Sequence, residues 1–172
     1  MIDNCMIHAF DTYYYDTYAK TVCLSFEDWS AEKESNIYIE NLDIPSGYES
    51  GLFYKRELPC IVSLLPQIQL RDQDIILVDG YVTLTDQSKM GLGGYLFESL
   101  KGAYTVVGVA KNGYASDDTG RREVYRGDSK KPLFVTAISM DVDNAIPMIR
   151  SMHGEFRIPT LLKKLDQLTR II

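Results

Sequence analysis

An unbroken apolar run, Ile75–Val78, closes on a single carboxylate, Asp79, followed by Gly80. This stretch limits the possible folds more than any other in the chain. A run with no polar alternation needs cover on both faces, as strands of a sheet sandwiched between helices do. Such sheets usually bind their ligands beyond the carboxyl ends of the strands, which is where Asp79 would stand. Two more carboxylates have comparable settings. Asp11 follows the apolar run Cys5–Phe10, and Glu57 lies behind an aromatic and basic patch in Gly51–Pro59, GLFYKRELP. Carboxylates that converge at strand ends suit Mg²⁺, which prefers hard oxygen ligands in octahedral geometry. Phosphoryl chemistry is therefore the leading expectation.

The rest of the chain fits a mixed α/β sheet covered on both faces. Cys5–Tyr13 and Tyr18–Phe26 are aromatic and β-branched enough to be strands, with Asp16-Thr17 in the turn between them. Asp28–Ser35 reads as a loop, Ile37–Ile39 as a short third strand and Pro45-Ser46-Gly47 as a turn. From Gly51 to Ile68 the apolar residues form a rough helical stripe, and Pro59 predicts a kink or restart within it. Asp74–Val78 and Thr105–Ala110 read as buried strands, with a helix over Met90–Leu100 between them. Glu123–Arg126 and Leu133–Ile138 form a predicted hairpin around Gly127-Asp128. Helices follow over Val142–Met152, with Asp141 or Asp143 as N-cap, and over Thr160–Ile172. With 172 residues and no repeat or boundary, one domain spanning 1–172 is the economical expectation.

The proposed acidic cluster is Asp11, Glu57, Asp79 and Asp141. Its carboxylates could hold Mg²⁺ while leaving positions for water and phosphate, and should have raised pKa values when no metal is present. Lys111 ends the run Gly108-Val109-Ala110-Lys111 and could neutralise a phosphate oxygen or orient the attacking water. Tyr48, in the loop Ser46–Gly51, could stack on a base, while Tyr13-Tyr14-Tyr15 reads as packing. Gly91-Leu92-Gly93-Gly94 lacks both the P-loop and the dinucleotide patterns and is read as close packing of a helix on the sheet. Arg121, Arg122, Arg126, Lys130 and Lys131 could track a phosphate backbone. Asp117, Asp118, Glu123 and Asp128 dilute them, so a solvated mixed-charge hairpin is the preferred reading.

His8 and His153 have no partners at metal spacing. The three cysteines, Cys5, Cys23 and Cys60, are unpatterned, which argues against disulfides or zinc and for a reducing cytoplasm. No run is long enough to span a bilayer, and the start of the chain lacks the basic-then-apolar pattern of a signal peptide. A net charge of −6 counts against broad nonspecific nucleic-acid binding. A bound metal can supply the missing positive charge at a phosphate.

The order and spacing of these pieces resembles the endonuclease V family nearly end to end. Asp11-Thr12-Tyr13-Tyr14 is similar to its first-strand aspartate motif, and Val78-Asp79-Gly80 to its second. Tyr48–Glu57 resembles its Tyr-x-Pro-Gly segment ending in Arg-Glu, with Arg56-Glu57 in register and Tyr48 at the lesion-wedge tyrosine. Gly91-Leu92-Gly93 matches a helix start, and Gly108-Val109-Ala110-Lys111 is the most specific match. Lys131–Val135 and Arg157-Ile158-Pro159 resemble the late strand and the segment after it. The resemblance implies an RNase H-like fold and a Mg²⁺- or Mn²⁺-dependent endonuclease. Its substrate would be DNA or RNA carrying a deaminated purine, chiefly inosine. It implies Asp11, Asp79 and Asp141 as metal ligands, with Asp143 competing for the last place. Glu57 would assist, Lys111 would stabilise the phosphate and Tyr48 would open the strand. Three of the family's histidines, one soon after Asp79, one at the helix start and one after the late strand where Ala137-Ile138-Ser139 stands, have no counterpart here. This departure keeps a second reading open, a noncatalytic RNase H-like domain that binds nucleic acid or protein. A third, weaker reading is another RNase H-like phosphodiesterase.

Overall fold

The computed structural model describes residues 5–44, 53–85, 89–114 and 120–172. The chain opens with three strands, β1 (Ile7–Tyr14), β2 (Tyr18–Phe26) and β3 (Asn36–Asp43). A helix, α1 (Phe53–Leu64), leads to β4 (Ile75–Asp79) and a small two-stranded ribbon of β5 (Thr83–Thr85) and β6 (Lys89–Met90). Next come α2 (Leu92–Ser99), β7 (Thr105–Ala110), β8 (Arg122–Val124) and β9 (Leu133–Ile138). Two helices close the order, α3 (Val142–Ser151) and α4 (Thr160–Thr169).

Seven strands make one mixed sheet in the order β3-β2-β1-β4-β7-β9-β8. The central strands β1, β4 and β7 are parallel, and β2 and β9 run against them. Alternation along β4 explains its unbroken apolar run. Ile76 and Val78 face α1 and α2, together with Phe10, Ile61, Leu64 and Leu96. Ile75 and Leu77 face α3 and α4, in a layer shared with Leu24, Ile149 and Leu165. Neither face is wet, so neither can be polar. This is the helix-flanked mixed sheet of an RNase H-like fold.

Several boundaries differ from the sequence expectation. β3 extends over Asn36–Asp43 instead of stopping at Ile39, because an edge strand tolerates the polar residues Glu40, Asn41 and Asp43 that lower its β signal. α1 continues through Pro59, which lies on an exposed side of the helix, and a 3₁₀ turn, Leu65–Gln67, follows. The β5–β6 ribbon has no counterpart in the sequence expectation. The glycines at the start of α2 do pack closely. A Cβ on Gly94 would come within 2.7 Å of the Val82 carbonyl oxygen, and one on Gly93 within 2.8 Å of the Val82 side chain.

At the end of the sheet where β1 begins, His8 is buried. Its Nδ1 pairs with Ser25 Oγ at 2.7 Å and its Nε2 with Asp74 Oδ2 at 3.0 Å. Asp74 also accepts from the Met6 and Arg71 backbone N–H groups. All three side chains are satisfied, so this network ties β1, β2 and β4 together and offers no open site.

Candidate functional site

The site forms at the opposite end, where the parallel strands terminate. Phe10 is level with Val78 in the β1–β4 ladder, which places Asp11 beside Asp79 on the same face. Asp79 is level with Val109 of β7, and Lys111 follows two residues on. Lys111 Nζ donates to Asp79 Oδ2 at 3.2 Å. From the helix packed on this face, Asp166 Oδ1 lies 3.9 Å from the same ammonium. Arg170, which caps the carboxyl end of α4, donates to Asp166 at 3.2 Å and stacks its guanidinium 4.7 Å from the centre of the Tyr13 ring.

The electrostatics are those of crowded anions. Burial, the Asp79 charge and, more weakly, Asp166 push the Asp11 carboxyl up to about 7, against Lys111 and the Thr12 backbone N–H, which favour its charged form. Glu57, reaching the site from α1, is raised well above the usual carboxylate range by burial and then by the Asp11 and Asp79 charges. Three of the sequence-derived residues, Asp11, Glu57 and Asp79, therefore feel one another, and Lys111 joins them. Beside them opens a small cleft. Its floor is apolar, formed by Leu77, Val109 and Leu133 of the sheet and Pro159 and Leu162 at α4.

Asp141 does not join this group. β9 is antiparallel to β7, with Phe134 level with Ala110 and Ile138 level with Val106. The chain therefore leaves β9 at the end of the sheet away from Asp79. There Asp141 is the N-cap of α3, and its Oδ1 accepts from the Asp143 N–H at 2.9 Å. Asp143 pairs with Arg122 at 2.8 Å. The late carboxylate at the cluster is Asp166, which the sequence reading missed. Its signal was a charged residue four positions after Leu162, beside the buried stripe Leu161, Leu165 and Thr169 of an amphipathic helix. Tyr48 lies outside the described residues.

Neither histidine reaches the cluster, because His8 is held in the Ser25–Asp74 network and His153 Nδ1 pairs with Thr160 Oγ1 at 2.9 Å. Of the basic hairpin residues, Arg126 is buried against backbone carbonyls, while Lys130 and Lys131 are both exposed. The donor set is hard oxygen with too little positive charge around it, and that fits a divalent cation. Among the described residues no three His, Cys, Asp or Glu side chains are gathered closely enough to enclose an ion. A pair of carboxylates is the arrangement by which proteins usually hold Mg²⁺, with water and substrate phosphate completing the octahedron. None of the helices among the described residues is long and apolar enough to cross a membrane.

Residues 3–131 match the family model described as Endonuclease V. No curated protein matches the chain. Among solved structures, the endonuclease V of Streptomyces avermitilis is similar with a TM-score of 0.79 at 22% identity, covering 99% of this chain and 85% of that one. Human ENDOV gives a TM-score of 0.75 at 17% identity, covering 98% and 84%. Ciona intestinalis endonuclease V, in complex with a 24mer DNA containing an inosine followed by a ribo-adenosine, gives 0.75 at 16%, covering 96% and 84%. At such identities the likeness is one of fold.

Proposed function

The chain belongs to the endonuclease V family, and on that premise we propose that it is a metal-dependent endonuclease that hydrolyses a phosphodiester near a deaminated purine, chiefly inosine, in DNA or RNA. The observation that carries the reading is the convergence of Asp11, Asp79 and Asp166 around Lys111, with Glu57 close enough for its proton affinity to rise. Asp11 and Asp79 would hold Mg²⁺ or Mn²⁺, and Asp166 would face the same ion from α4. When bound, such an ion lowers the pKa of its water and neutralises charge on the scissile phosphate.

The side chains supply the rest. Lys111 presents its ammonium at the carboxyl edge of the sheet, where a phosphate oxygen can take the place its contact with Asp79 now fills. Burial, and then the Asp11 and Asp79 charges, raise the proton affinity of the Glu57 carboxyl, so neutralising those two charges would shift it toward its ionised form. Arg170 donates to the same Asp166 Oδ1 that faces Lys111. Tyr48 is proposed to open the strand. The free thiols of Cys5, Cys23 and Cys60 fit a cytoplasmic protein.

The direct test is nicking of an inosine-containing oligonucleotide, DNA and RNA in parallel, with Mg²⁺ or Mn²⁺. Cleavage that needs the metal and disappears in Asp79→Ala is expected. Intact substrate under every condition would defeat the proposal. One observation favours a second reading, a noncatalytic nucleic-acid or protein binder: no histidine among the described residues stands at the cluster to act as a base. Calorimetry separates the two, because only the enzyme reading requires metal binding that Asp11→Ala removes.

A further inference from the structure

Among the described residues, all of the aromatic side chains that stand open to solvent lie at one end of the molecule. Tyr114 is 38% exposed, Tyr125 50% and Phe156 73%. Tyr114 follows β7 just beyond Lys111. Tyr125 follows β8, whose last residue Val124 is level with Leu133 at the start of β9. Phe156 is two residues before Ile158, which lines the cleft with Asp11 and Asp79. All three therefore sit at the sheet end that carries the carboxylates.

The loops bearing two of these rings are held firmly. Arg126 is buried and donates to the carbonyl oxygens of Met152, Gly154, Phe156 and Arg157. One side chain thereby fixes the backbone on both sides of Phe156. Gly127, at φ +57°, lets the β8–β9 turn come against Glu155, where a Cβ would strike the carbonyl. Arg157 donates to the carbonyls of Pro132 and Lys111, which joins this loop to the end of β7. Tyr114 is pinned likewise. Its N–H donates to Tyr81 Oη at 3.2 Å, and its carbonyl accepts from Arg121 at 2.8 Å. A benzyl ring held in water by a rigid loop gains nothing from packing, so a ligand that covers it gains the whole of its burial.

We infer that Phe156, with Tyr125 and Tyr114, forms a stacking platform for unpaired bases of the substrate strand as it runs outward from the cleft. The inference rests on the nuclease reading above and adds the state of the strand that the protein prefers. A nucleobase is the partner that fits, because every base has a π-face and a bare phenyl ring offers no hydrogen bond with which to read one. In a duplex those faces are covered by stacking, so the platform selects single-stranded segments. Charge does not compete for the assignment. Lys130 and Lys131 are offset by exposed Asp128 and Glu155, and Tyr125 Oη donates to Glu123, so the charge around the rings is mixed.

The test is fluorescence anisotropy in EDTA with a labelled single-stranded oligodeoxynucleotide holding one inosine, and with the same strand carrying abasic linkers around it. The full protein should bind the base-bearing strand roughly tenfold more tightly than the abasic one. Phe156→Ala should erase most of that preference, Phe156→Trp should restore it and Phe156→Leu should not. Tyr125→Ala should give a smaller loss and serves as a second variant if Phe156→Ala fails to fold. Equal binding by Phe156→Ala and wild type, a preference retained in Phe156→Leu, or no binding by the wild type to either strand would each overturn the platform. So would self-association of the wild type that Phe156→Ala abolishes, which would assign the rings to a second copy of the chain. Wild-type cleavage with unchanged Phe156→Ala binding defeats this inference alone. Phe156-dependent binding with no cleavage under any metal defeats the nuclease reading alone.

Discussion

At the scale of single residues, the site is a set of charges that destabilise the fold until something neutralises them. The Asp11 carboxyl rises from 3.8 to about 7 on folding. Between those values the folded protein keeps a proton that the unfolded chain has released. The stabilising contribution is thus complete below the unfolded value and lost as pH rises through about 7. Asp11→Asn removes this dependence. In chelator, wild-type stability should fall relative to the variant between about pH 4 and 8, by on the order of 2–4 kcal/mol. Added Mg²⁺ should restore the wild type near neutral pH and leave Asp11→Asn unmoved. Thermal unfolding across that range checks both statements, and parallel pH profiles for the two proteins would show that Asp11 is not crowded. Lys111 acts on the same charges with opposite sign. Lys111→Met should lower the cleavage rate by roughly 10²–10³-fold with little change in oligonucleotide affinity, as single-turnover kinetics beside a binding isotherm would show.

At the scale of elements, the direction of one strand decides which carboxylates meet. The carboxyl ends of β4 and β7 were legible, because each is an apolar run that stops at a charged residue, Asp79 or Lys111, whereas Asp11 lies within β1, one residue past the end of its pairing with β4. Parallel neighbours then put those residues side by side. The direction of β9 was not legible, since Leu133–Ile138 alternates no differently whether it runs with β7 or against it. Antiparallel pairing sends Asp141 away to cap α3 and brings the next helix, α4, back over the site with Asp166. The β5–β6 ribbon and the length of β3 also escaped, because short or edge pairing needs little apolar sequence. Paired variants separate the two late carboxylates. Asp141→Ala should cost about 1 kcal/mol of stability through the lost N-cap while metal binding and cleavage persist. Asp166→Asn should leave the melting temperature within a few degrees and abolish or strongly weaken metal binding by calorimetry. The reverse pattern would return the late ligand to Asp141.

At the scale of the whole molecule, the question is how an acidic protein holds a polyanion. Eighteen Lys and Arg stand against 24 Asp and Glu, for a net charge of −6. Several of those cations are already engaged. Arg126 and Arg157 donate to backbone carbonyls, Lys164 pairs with Glu34, Arg122 with Asp143 and Arg170 with Asp166. With acidic groups outnumbering basic ones, the metal at the cluster and stacked bases beyond it are expected to carry much of the affinity. Each phosphate neutralised on a single strand contributes about −0.7 to the slope of log K against log salt. If the protein engages two or three phosphates, metal-free binding to a single-stranded inosine oligonucleotide should follow a slope of about −2. Anisotropy titrations across a range of NaCl concentrations measure it directly. A slope near about −6 would mean that a basic track dominates, and the main share of the affinity would then pass from Phe156 and its neighbours to the lysines and arginines of the β8–β9 hairpin.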